Sequence, residues 1–284
     1  MTAVLGIDAA WTERQPSGVA LVRRDRSRWR VVCVAPSCAS FVAASRGAPV
    51  DWLAKRVPGS RPDVPALLAA ARRMTSADLA VVAVDMPLAK TPIACRRSSD
   101  RAISKAFGGR GCSTHSPSAL RPGPVGHRIA SQLEAAGFPL CTSIDPRASR
   151  PCAIEVYPHP ALLALLARDY RVPYKVARAG TYWPGVSVAA RVRRLLAELG
   201  RIHFALEGVF GRLPLVLPDR SAVAHLSVLK RYEDALDALV CAWVGVRFLE
   251  GAATAFGDES SAIWVPEAPS RPSPSAAASG PSRA

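Results

Sequence analysis

The chain has 284 residues, 49% hydrophobic and 21% charged, which is enough apolar content for a sizeable core and an ordinary charge load for a globular protein. No apolar run reaches ~18 residues without a charge, and the opening MTAVLGID lacks a basic n-region and is interrupted by Asp8, so neither a transmembrane helix nor a signal peptide is expected. Lys and Arg number 37 against 22 Asp and Glu, a net charge of +15, which points to a polyanionic partner such as DNA or RNA, or else to a composition generally rich in Ala, Arg and Pro.

Seven cysteines with no C-x-x-C spacing are read as reduced thiols in a cytoplasmic protein. Cys95, Cys112 and His115 match no standard zinc spacing.

Along the chain, residues 3–9 read as a buried strand. Residues 18–23 and 29–35 read as two more, separated by the polar turn RDRSR, which together suggest an antiparallel meander. Residues 50–56 and 63–74 are predicted helical, with Pro62 and Pro65 marking a start. Residues 79–85 form a fourth strand, almost wholly apolar, as a central strand covered on both faces should be.

Residues 86–150 change character: Pro, Gly, Ser and Arg dominate a long insertion holding one or two short helices, one of them at 127–136. Between 90 and 128 it carries eight Lys or Arg against the single acid Asp100. A fifth strand follows at 152–157, then helices at 159–168 and 187–200, the helix EDALDALVCAWVGVRFLE, and a short last strand at 263–266. The expected organisation is an α/β domain over 1–266 and a low-complexity, disordered tail over 267–284.

The chemistry concentrates in acids. Asp8 ends the first strand and Asp85 the fourth, and an Asp at the carboxyl end of a central strand faces the crevice where α/β sheets bind ligands. Asp234 and Asp237 lie three apart on one helical face. Each also has an ordinary explanation, as a turn, cap or helix-dipole residue. Clustered carboxylates repel by ~4 kcal/mol per pair at ~4 Å and an effective dielectric of ~20, so convergence would call for a divalent cation.

Glu155 in AIEVYPHP faces either solvent or a site, where it could complete a metal shell. His159 could contact phosphate or shuttle a proton, or simply cap its helix. Arg96, Arg97 and Arg101 in CRRSSDR, with Tyr174 and Lys175 in VPYK, are candidates for phosphate contacts. No G-x-S-x-G elbow, Walker motif or G-x-G-x-x-G opening a helix is present.

The order strand-Asp, meander, helix, strand-acid and later helix-Asp resembles the ribonuclease H-like superfamily, and DALDAL at 234–239 resembles the D-x-x-D-A-L element of its Holliday-junction resolvases. The set GID, VDMP, CRRSSDR, EVYPHPAL, VPYK and DALDAL is similar to the family called domain of unknown function 429, regarded as predicted nucleases of that fold. The resemblance implies a mixed five-stranded sheet of order 3-2-1-4-5 with helices on both faces and the long insertion after strand 4. It implies Asp8, Asp85 and Asp237 as metal ligands, with Asp234 and Glu155 as further catalytic acids. The resolvases carry Glu where this chain has Asp85, and have no counterpart of Glu155.

The expected function is a Mg²⁺- or Mn²⁺-dependent nuclease using two ions, with Arg96, Arg97, Arg101, His159 and Lys175 on the substrate. The alternatives are a catalytically silent nucleic-acid-binding protein of the same fold, or a nucleotide or small-phosphoester enzyme. The sequence names no protein partner.

Overall fold

The computed structural model describes residues 1–12, 14–60, 63–142 and 151–267. The expected tail beyond 267, the helix signal at Pro62 and the last part of the insertion, 143–150, lie outside the described residues.

Three strands open the chain as an antiparallel meander: β1 (Thr2–Asp8), β2 (Gly18–Asp25) and β3 (Arg28–Ala35). Helices α1 (Cys38–Ala44) and α2 (Val64–Met74) lead to β4 (Asp78–Asp85), which pairs parallel to β1. The insertion holds α3 (Ser98–Phe107) and α4 (Pro124–Ala135) and delivers the chain to β5 (Cys152–Val156), parallel to β4. Next come α5 (Pro158–Leu165), the single turn α6 (Ala179–Tyr182), α7 (Val188–Phe210) and α8 (Lys230–Leu249), and the hairpin β6 (Ala253–Gly257) and β7 (Ala262–Pro266) ends the fold.

The architecture is mixed α/β, but the expected five strands fall short. The sheet has seven, in the order β3-β2-β1-β4-β5-β7-β6, with β7 parallel to β5 and β6 at the edge. Residues 263–266 read correctly as a strand. Its partner β6 left no sequence signal, because an edge strand only partly buried lacks a continuous apolar run. Two further expectations change. Residues 50–56 form turns rather than a helix, with the Asp51 side chain accepting from Leu53 N–H at 2.8 Å. A helix not anticipated, α1, begins where the Ser37 hydroxyl accepts from Ser40 N–H at 3.1 Å.

Side-chain alternation divides the core in two. Val4, Ala20, Val22, Val81, Ala83 and Ile154 face α5, α7 and α8. Ala3, Leu5, Ile7, Val19, Leu21, Val82, Val84 and Ala153 face α1, α2 and α4. Helix α8 is the central helix: 17 of its 20 residues are buried, so it has no solvent stripe for an amphipathic pattern to reveal.

Helix α8 reaches the sheet closely because glycines face it. A Cβ on Gly6 would stand 2.1 Å from Ala238 O, and one on Gly18 2.1 Å from Asp234 O. On the helix side, a Cβ on Gly245 would stand 2.6 Å from Val4 Cγ1. Backbone atoms cannot yield as a side-chain tip can. Gly6→Ala is therefore expected to destabilise the fold by about 3 kcal/mol, at the upper end of overpacking costs, read as a lowered denaturation midpoint in urea.

Candidate functional site

The parallel register of β1 and β4 sets Asp8 directly beside Asp85. Alternation turns both towards α8, since Gly6 and Ala83, two positions earlier, contact or face that helix. The seating of Gly18 under the Asp234 carbonyl brings the first turns of α8 to the same strand ends. Four acids from three elements thus converge. Asp8 and Asp85 remain partly exposed, whereas Asp234 and Asp237 are buried.

The electrostatics record the convergence. Burial, then the neighbouring Asp8 carboxylate, pushes the Asp85 carboxyl well above its ordinary range, with Asp237 adding and Lys175 opposing. Burial raises Asp237 to about 6 against the pull of Lys175. Burial also raises Asp234 well above its usual value, with Lys230 opposing and Asp8 adding.

Two lysines answer these acids. Lys175 Nζ donates to Asp237 Oδ2 at 2.5 Å and lies 3.5 Å from Glu233 Oε1. Burial disfavours the Lys175 charge, yet Asp237, Tyr174 and Glu233 hold it firmly protonated. The Tyr174 hydroxyl donates to Asp237 Oδ1 at 2.7 Å. Lys230 Nζ donates to Glu233 Oε1 at 2.9 Å and to Asp234 Oδ1.

Glu233, which the sequence reading did not single out, also accepts the Val176 N–H at 2.6 Å. Its only sequence signal was the i, i+3 spacing from Lys230.

The set comprises five carboxylates (Asp8, Asp85, Glu233, Asp234, Asp237) and two ammonium groups, and Asp234 Oδ2 is buried with no hydrogen-bond partner. Such an excess of hard oxygen donors suits Mg²⁺ or Mn²⁺ in chemistry. Against that, among the described residues no three His, Cys, Asp or Glu side chains stand close enough to hold a metal ion, and Lys175 and Lys230 already occupy three of the acids.

Glu155 does not join the cluster. It pairs with Val84 and faces the opposite side of the sheet. There Arg97 Nη1 and Nη2 grip it at 2.5 and 2.7 Å, and Leu88 N–H donates to it at 2.7 Å. Arg97 is buried and also holds Asp100 through Nε and Nη2, both at 3.0 Å. This guanidinium pins the insertion to β5 rather than facing a substrate.

Arg96 bonds within the insertion, to Asp100 O and Ser116 Oγ, each at 3.3 Å, and to Ser104 Oγ. Arg101 is exposed and donates to Arg96 O at 2.9 Å. His159 is buried, with Arg171 Nη2 2.5 Å from its Nε2. Burial and then Lys175 and Arg171 hold its pKa well below the ordinary value. The ring is neutral, and accepting at Nε2 leaves its proton on Nδ1. Of the five expected substrate contacts, Lys175 bonds an acid of the cluster, and His159 meets edge-on the Tyr174 ring whose hydroxyl donates to Asp237.

Cys33, Cys38, Cys112 and Cys241 are buried free thiols and Cys95 is an exposed one. Among the described residues no helix is long and apolar enough to cross a membrane. A cavity of about 760 Å³ lies elsewhere, between Val31, Trp52, Leu213 and Tyr232. Its lining is largely apolar and includes none of the clustered acids.

A family model described as "Protein of unknown function (DUF429)" matches residues 6–262. No curated protein and no solved structure matches the chain.

Removing Arg97 leaves two buried carboxylates unpaired. Arg97→Met is expected to cost about 3–5 kcal/mol at neutral pH. Burial already raises Glu155 to about 7 even beside Arg97. Without Arg97 the folded state takes up a proton there, and a raised carboxyl loses stability as pH rises from its unfolded value of ~4. The deficit of Arg97→Met relative to the parent should therefore be smaller at pH 5 than at pH 8, measured by urea denaturation at both.

Proposed function

The chain belongs to the DUF429 family, and on that footing we propose that it is a Mg²⁺- or Mn²⁺-dependent hydrolase of nucleic-acid phosphodiester bonds, with a ribonuclease H-like core. One observation carries the reading: Asp8 and Asp85 end adjacent parallel strands, side by side and partly open, in front of the buried Asp234 and Asp237. The run β3-β2-β1-β4-β5 within the sheet supports the fold assignment. The net positive chain supports an anionic polymer as substrate.

Among the described residues neither Asp8 nor Asp85 accepts a hydrogen bond from a lysine, so these two are the residues that would hold the cation, which takes one or two carboxylates and keeps water in the rest of its shell. When bound, the ion supplies Lewis-acid activation of water and of the phosphoryl oxygens. The chain's own groups do the remainder. Asp237 and Glu233 orient the Lys175 ammonium, and Tyr174 fixes Asp237 from its other oxygen. Lys175 then stands as a point charge able to meet a phosphoryl oxygen beside the acids. Neutral His159, edge-on to Tyr174, can hold a proton at Nδ1 without adding charge.

A second reading has its own support. The lysines already seated on Asp237, Glu233 and Asp234 offset much of the acid charge, as they would in a nucleic-acid-binding protein of this fold that does not catalyse.

One experiment separates the two. Purified protein is incubated with labelled DNA and RNA, with Mg²⁺, Mn²⁺ or EDTA. Hydrolysis is expected with the metals only, and Asp8→Asn or Asp85→Asn should lower it by at least about 100-fold. Equal turnover by parent and variants overturns the assignment. Binding that weakens steeply with salt, without metal-dependent turnover, favours the silent protein.

A further inference from the structure

Beside the acids lies a second set of side chains of opposite character. Trp11 follows Asp8 by three residues in the loop leaving β1, is partly buried and packs against the core on the α1, α2 and α4 face of the sheet. Two exposed residues of the insertion meet it. The Arg121 guanidinium stands 5.7 Å from the ring centroid, and the His115 ring meets it edge-on at 6.3 Å.

Arg171 and Arg178 complete the flank. Together with Arg121 they act on His115, whose pKa burial and these three guanidiniums lower. Among the described residues none of the three meets a carboxylate: Arg171 bonds Gly111 O and His159, Arg121 rests on Trp11, and Arg178 is exposed. Guanidiniums gathered around one imidazole without a carboxylate to balance them are stabilised by an anion. Arg171 bonds His159, whose ring meets Tyr174 edge-on, and Tyr174 donates to Asp237, so the cationic flank adjoins the acids.

We propose that this flank is a platform for single-stranded nucleic acid: an unpaired base stacks on Trp11, and Arg121, Arg171 and Arg178 receive the phosphates around it. The proposal rests on the reading of the acid site as acting on phosphodiesters, and it names which strand form is held there. Stacking explains the choice. An indole beside a groove of cations takes a base by its π-face, and every base has one. A base inside a duplex already has both faces covered by its neighbours, and reaching Trp11 would require unstacking it. The Arg121 contact does not compete. A cation–π contact at an exposed site is weaker than base stacking, and the displaced guanidinium is free to bind the adjacent phosphate.

The test uses the full chain without divalent ions, so no cleavage intervenes, and fluorescence anisotropy of three labelled probes. These are a single-stranded oligodeoxynucleotide, the same length as an abasic strand, and the matched duplex. The base-bearing strand is expected to bind about tenfold tighter than the other two. Trp11→Ala should weaken the base-bearing strand about tenfold and leave the abasic strand unchanged, with Trp11→Phe restoring most of the loss.

Equal binding of base-bearing and abasic strands by the parent protein overturns the proposal, as does tighter binding of the duplex or an unchanged Trp11→Ala. The comparison on the parent protein decides the matter even should Trp11→Ala not fold. Loss of the nuclease reading would show as absent metal-dependent turnover with this base preference intact. Loss of the platform would show as turnover without the preference.

Discussion

The close seating of α8 on β1 and β2 is the constraint from which the site follows. Glycines at 6 and 18 let the helix backbone approach the strands, and Gly245 lets the far end of the helix meet Val4. A helix held that near has its first two turns level with the strand ends. The acids of those turns then stand in front of Asp8 and Asp85. Moving the helix out by the width of a methyl group would relax the core on that face and separate the two halves of the acid cluster. The packing of an apolar helix and the geometry of a polar site are thus one contact at two heights along the same axis.

Charge is organised by the two faces of the sheet. On the α8 face, Lys175 and Lys230 are shared among Glu233, Asp234 and Asp237. On the other face, Arg97 joins Glu155 to Asp100. The networks differ in kind. The Arg97 network is closed, with the guanidinium donors directed to two carboxylates and the Leu88 carbonyl, as a buried ion pair requires if it is not to cost more than it contributes. The lysine network is open. It has more carboxylates than cations, an unpartnered oxygen on Asp234, and two acids reachable from solvent. The closed network fixes the insertion in place, and the open one has charge left to engage a ligand.

The insertion links the two. Anchored at its start by Arg97, it returns His115 and Arg121 to the loop that carries Trp11. A cationic and aromatic margin therefore borders an acidic centre. A polyanion would be attracted by the margin and repelled by the bare acids, so any cation held at Asp8 and Asp85 would also remove the barrier to close approach.

Much of the frame was legible in the chain. The strands ending in Asp8 and Asp85 are apolar runs with a single reading, and the meander followed from its turn. The spacing of Asp234 and Asp237 placed both on one face of a helix. What the sequence could not settle was pairing across distance. Glu155 and Asp85 look alike in one dimension, each an acid at an apolar strand. Only the register of β5 on β4 puts them on opposite faces, because a step of one residue reverses every side chain. Arg97 looked as available as Arg96 until burial closed it around two carboxylates. Lys230 and Glu233 look like an exposed helical pair until α8 is enclosed on every side. The sequence determined which segments fold and where their acids fall along them, since periodicity is local. Tertiary structure alone decided which of those acids face one another, which are neutralised, and which remain open, since these depend on register and close packing between segments far apart in the chain.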